Sequence, residues 1–116
     1  MTGDSDRTSG WAIRYPDDRT EKRITKTLQR NPDLRPHWGK FKKEVTANPF
    51  GPSDSGSITR LKGDTWEDTD TYRFKSGNLR ATYHPDTSTT TVYPLEVARA
   101  DDPLYKKKSS KGKKIP

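Results

Sequence analysis

The chain has no cysteine. Neither a disulfide framework nor a thiolate metal site can form, which fits a reducing compartment. Apolar residues are scarce, at 26% of 116, and no run approaches the roughly 20 that span a bilayer. The N-terminus lacks the apolar stretch of a secretory signal. A cytoplasmic protein with no membrane association is the expectation. No glycine-rich phosphate loop of the Walker or dinucleotide type is present. No carboxylate or histidine cluster has metal-ligand spacing. Asp64, Glu67, Asp68 and Asp70 crowd a polar turn, but without the spacing of a calcium loop. Nothing in the sequence asks for a metal or a cofactor.

What is there is charge, at 34% of residues with a net +7. Six of the 23 basic residues (Lys106, Lys107, Lys108, Lys111, Lys113 and Lys114) fall in the last 11 positions, which hold no acid. The 17 left face 16 acids, so the body from 1 to 105 is near neutral at +1. The tail reads either as a solvated extension or as a non-specific phosphate attractor, with Lys106, Lys107 and Lys108 the nearest candidates for RNA contact. Residues 1–10 are small and polar and read as a disordered extension. The folded domain then runs from 11 to 105, with the basic tail from 106 to 116.

Within that domain, Trp11 to Tyr15 alternates like a short strand and stops at Pro16. Asp17 or Asp18 can cap a helix that has Glu21 in its first turn and Ile24 and Leu28 on one face. Asn31-Pro32-Asp33 breaks it. Trp38, Phe41 and Val45 mark the apolar stripe of a second helix, which ends at Asn48-Pro49. A loop over 50–57 leads to an extended segment from Ile58. Thr71 to Lys75 and Leu79 to His84 form a hairpin about a Ser76-Gly77-Asn78 turn, and Pro85-Asp86 turns again. Thr89 to Val97 is the last strand, where Pro94 demands a bulge or an unpaired edge. The predicted class is α+β: an antiparallel sheet with an N-terminal helical hairpin on one face, in the order β-α-α-β-β-β with a possible fourth strand after the helices.

Strand parity sorts the hairpin. Tyr72 and Phe74 share one face with Leu79, Ala81 and Tyr83. Arg73, Lys75, Arg80 and Thr82 project from the other, with no acid between Thr71 and Tyr83. Such a cluster is either a solvated sheet face or a site for a phosphodiester. Arg99 and Tyr105 follow the last strand, where a short turn can carry them over the same face. Tyr105 also reads as an aromatic packed on the body. His84 shares the face of Arg80 by parity and is a second-rank candidate base. His37, beside Trp38, reads as a packing or capping residue.

Leu61-Lys62-Gly63, then Tyr72-Arg73-Phe74-Lys75-x-Gly77-x-x-Arg80-x-x-Tyr83, then a strand ending in Arg99 with a tyrosine six residues on, resembles the RelE/ParE superfamily of type II toxins. Asn48-Pro49-Phe50-Gly51 is similar as well. The resemblance spans 11 to 105. It implies the RelE-like sheet with a helical hairpin. For the RelE branch it also implies a ribosome-dependent, metal-independent endoribonuclease that cuts mRNA in the decoding site, silenced by a cognate antitoxin. By position it implies Arg73, Lys75, Arg80, Arg99 and Tyr105 as the catalytic set. The chain departs from the pattern at Ala98, where many members carry His or Lys, and in the acidic Asp101-Asp102-Pro103 approach to Tyr105.

RNA brings its own nucleophile, so positioning and charge neutralisation are the main things a protein must supply. Arg80 and Arg99 suit bidentate phosphate contact, and Lys75 and Arg73 suit charge neutralisation. Tyr105 can act as base only if nearby cations lower its pKa from near 10. Two rivals stand beside this reading. One is a non-catalytic ParE-like toxin that poisons DNA gyrase. The other is a basic nucleic-acid-binding module that depends on its tail.

Overall fold

A computed structural model describes residues 10–61 and 70–101. The predicted extension up to residue 9, the acidic turn over 62–69, and the lysine tail with Tyr105 lie outside the described residues.

The chain opens with a two-residue strand β1 (Ala12–Ile13). Asp17 then starts helix α1 (Asp18–Arg30): its extended backbone lets Oδ1 accept the Thr20 N–H at 2.7 Å. That bond is the main cause holding the Asp17 carboxyl below the usual carboxylate range. Asn31 closes α1 with its backbone N–H on Leu28 O and its side-chain amide on Thr27 O. A 3₁₀ turn (Pro32–Leu34) leads into helix α2 (Arg35–Ala47), which has proline in its first turn, where no backbone donor is missed. The predicted stripe of Trp38, Phe41 and Val45 is buried.

Four strands follow: β2 (Ser57–Arg60), β3 (Tyr72–Ser76), β4 (Leu79–Asp86) and β5 (Thr91–Arg99). They form one sheet in the order β1-β5-β4-β3-β2. The three consecutive pairs from β2 to β5 are antiparallel, whereas β1 pairs parallel with β5. A parallel neighbour is possible because the helical hairpin carries the chain from β1 to β2 at the far edge, and the antiparallel strands then return to β5. The predicted turn at Pro85-Asp86 instead belongs to β4, with Pro85 paired to Val92.

Both helices cover one face of the sheet. Ile24, Leu34, Trp38, Phe41 and Val45 meet Phe74, Leu79, Ala81, Tyr83, Val92 and Val97 in a single core. Phe41 is its centre, stacked on Trp38 at 4.7 Å and edge-on to Phe74 at 5.7 Å and Tyr83 at 5.5 Å. Such pairs contribute about 0.5–1.5 kcal/mol each beyond their buried area. The Tyr83 hydroxyl donates to the carbonyl of Pro49 at 2.5 Å, which ties the end of α2 to the sheet. Beyond it, Glu44 fixes the loop before β2 by accepting from Ser53 Oγ, Asp54 N and Ser55 Oγ. Burial alone would raise that carboxyl; the three hydrogen bonds together lower it. No helix among the described residues is long and apolar enough to cross a membrane.

Candidate nucleic-acid interface

The β3–β4 turn is built around Gly77, whose φ of +53° favours glycine. His37 of α2 lies against it: Nδ1 is 2.8 Å from Ser76 Oγ, and a Cβ at position 77 would sit 2.6 Å from Nε2. The sequence reading gave His37 a packing role, and this contact supplies one. It locks the turn that carries the cations.

Register then lays out the face turned away from the helices. Lys75 lies directly opposite Arg80 on β4, and Arg80 opposite Ala98 on β5. One row further along, Arg73 lies opposite Thr82, and Thr82 opposite Glu96. In the third row His84 lies opposite Tyr93. Arg73, Lys75 and Arg80 therefore share one face. Like charges set opposite each other cost a sheet stability. Neither Lys75 nor Arg80 is ion-paired among the described residues. Arg80 donates from Nη1 to the carbonyls of Gly77 and Leu79, both at 2.8 Å, which holds the guanidinium over the turn. Lys75 is exposed beside it.

Arg99 does not join them. A bulge in β5 separates Glu96, paired with Thr82, from Pro94, paired with Tyr83, and leaves Leu95 without a partner. Pro94 cannot donate to the ladder, so the predicted break falls where the sequence placed it. One extra residue inverts every later side chain. Arg99 pairs with Leu79 and so lies on the helix side. There Nη1 donates to both oxygens of Asp33 at 2.9 Å and to Asn31 Oδ1 at 3.4 Å, while Nε and Nη2 donate to Asp101. Asp101 first, then Asp33, push the guanidinium pKa up, so Arg99 stays charged and neutralised. The expectation that Arg99 crosses to the hairpin's cationic face is thus corrected. Tyr105, Lys106, Lys107 and Lys108 lie outside the described residues.

Two residues on this face escaped the sequence reading. Glu96 brings an acid among the cations; counting parity through the bulge would have found it. Tyr93 stacks on His84, with ring centroids 6.4 Å apart and planes within 9°. His84 Nδ1 is 2.6 Å from the carbonyl of Asp70. A carbonyl only accepts, which assigns the proton to Nδ1. Tyr83 is no candidate base: burial, and then Tyr72, push its phenol far above the ordinary tyrosine value. Among the described residues no group of three His, Asp or Glu is placed to hold a metal ion.

What the geometry offers is a sheet face with Lys75 and Arg80 in one row, Arg73 and Glu96 in the next and a ring pair beyond. Its chemistry is that of polyanion binding. No family model and no curated protein matches the sequence. The structure is similar to a chain in the crystal structure of the archaeal RelE-RelB complex from Pyrococcus horikoshii OT3, with a TM-score of 0.60 at 17% identity. The match covers 79% of this chain and 97% of that one. The chain has a RelE-like fold.

Proposed function

We propose that this protein is the toxin of a type II toxin–antitoxin pair, a metal-independent endoribonuclease that cuts mRNA in the ribosomal decoding site and is silenced by a cognate antitoxin. The observation that carries the reading is Lys75 set directly against Arg80, with Arg73 in the next row, on the face the helices leave uncovered. A destabilising like-charge pair is retained where it meets a polyanion. The RelE-like fold and the RelE-RelB assembly of its structural neighbour support both the toxin role and an antitoxin partner.

In this mechanism the RNA 2′-oxygen attacks the adjacent phosphorus. The O2′–P bond forms, the P–O5′ bond breaks, and a 2′,3′-cyclic phosphate and a 5′-hydroxyl result, the 5′-oxygen taking its proton from water. Arg80 and Lys75 hold the phosphate and offset the charge that grows on its oxygens, and Arg73 extends the positive face along the strand. Tyr105 takes the 2′-OH proton, with the cations lowering its phenol toward a useful pKa.

A second reading has one observation in its favour. Arg99 is held by Asp33 and Asp101 on the helix side, so of the four described members of the five-residue catalytic set only Arg73, Lys75 and Arg80 share one face. That suits a ParE-like toxin, which poisons DNA gyrase without cutting RNA. Primer extension on mRNA from cells briefly expressing the protein separates the two. In-frame, translation-dependent cuts support the endoribonuclease. Intact mRNA with arrested DNA supercoiling supports the gyrase poison.

A further inference from the structure

From the ring pair on the open face we infer a nucleobase-stacking subsite: His84 and Tyr93 hold a base of single-stranded RNA whose phosphates run toward Arg73, Lys75 and Arg80. This rests on the reading that the open face binds RNA, and it adds a second contact surface to it.

Three features point to a stacking role. The rings are parallel within 9° at 6.4 Å, an offset stack to which a further planar ring can add. The pair is held rigidly: His84 and Tyr93 are register partners in the longest pairing of the sheet, and the Asp70 carbonyl fixes the imidazole through Nδ1. A platform already ordered before binding loses little entropy when a base arrives. Finally, the pair lies on the same face as the cations and in line with them. His84 is four positions from Arg80 on β4, about 13 Å at the usual rise per residue. That is too far for His84 to take a proton beside a phosphate held at Arg80, whose guanidinium is turned the opposite way, toward Gly77 and Leu79. It is a natural reach for a strand of a few nucleotides. Basic grooves with interleaved aromatics bind single strands in this way, without reading sequence. The geometry therefore moves His84 from candidate base to binding residue.

The test is fluorescence anisotropy on the full chain with a short labelled oligoribonucleotide, intact or carrying abasic positions. His84→Ala and Tyr93→Leu should each weaken binding of the intact strand about five- to 150-fold, the range for losing one stacked base. Tyr93→Phe, which keeps the ring, should bind like the parent. The parent should prefer intact over abasic RNA, and Tyr93→Leu should lose that preference. The slope of affinity against salt should stay the same in the ring variants, because no phosphate contact is removed. If the parent binds RNA, and Lys75→Ala weakens it, but ring loss and abasic substitution change nothing, the stacking subsite is overturned while the RNA reading stands. If the parent binds no RNA, the stacking subsite falls, while the ribosome-dependent reading is decided separately by cleavage on programmed ribosomes.

Discussion

Replacing Tyr83 by Phe probes the joint between helices and sheet that holds the cationic hairpin flat. The ring stays in the core, so no large cavity opens. What is lost is the hydroxyl donated to Pro49, and the buried Pro49 carbonyl is left without it. A net hydrogen bond is worth about 1 kcal/mol, and stranding a buried acceptor costs about 1–3 kcal/mol. At roughly 4 °C per kcal/mol for a domain of this size, Tm should fall by about 4–12 °C. The pH dependence adds a second, independent sign. Burial raises the phenol's pKa in the folded state, so the folded protein keeps a proton that the unfolded chain releases above about pH 10. Tyr83 thus contributes its full stability below about pH 10, and that contribution is lost as pH rises from there toward the raised folded value. The loss can reach about 1.4 kcal/mol per pH unit. Phe carries no such proton, and the remaining tyrosines are common to both proteins. Urea unfolding followed by tryptophan fluorescence should therefore show a parent advantage near pH 8 that holds to about pH 10 and narrows above it, toward about pH 11. An advantage that is absent near pH 8, or constant across that range, refutes the reasoning.

Other expectations follow from the same contacts. Gly77→Ala should destabilise by about 1–3 kcal/mol, through positive φ and the clash with His37; in chemical denaturation, adding His37→Ala should recover only the steric part. Phe41→Ala, at the centre of the aromatic core, should cost about 3–5 kcal/mol by the same assay, enough to leave much of the chain unfolded. Lys75→Ala should lower RNA affinity and reduce the slope of log affinity against log salt by about 0.7, one phosphate contact on a single strand. Arg99→Gln should weaken RNA binding far less than Arg80→Gln, because Arg99 faces Asp33 and Asp101; equal losses in anisotropy titrations would place Arg99 back in the interface.

Much of this architecture is readable from short-range signals. Trp38, Phe41 and Val45 announce α2, the Asp17-Asp18 pair announces the start of α1, and the alternation of Tyr72 to Tyr83 sorts the cations onto one face. Local chemistry sets each of these. What resists reading is non-local. The β1–β5 pairing joins residues nearly 80 positions apart through a two-residue strand, too short to carry a pattern of its own. The position of Arg99 depends on which side of Pro94 the extra residue falls. Proline marks the bulge, but only the partner strand shows that Leu95 is the residue left out. A single unpaired residue moves Arg99 from one face to the other and brings Glu96 among the cations.

The central claim is that the Lys75–Arg80 row acts on an RNA phosphodiester. It is tested most directly by incubating the purified full chain with ribosomes programmed with mRNA and analysing the ends produced. The account predicts cuts that require the ribosome, a 2′,3′-cyclic phosphate with a 5′-hydroxyl, and rates about 10²–10³ lower in Arg80→Ala with the fold retained. Intact mRNA, or cleavage undiminished in a folded Lys75→Ala, Arg80→Ala double variant, would contradict it.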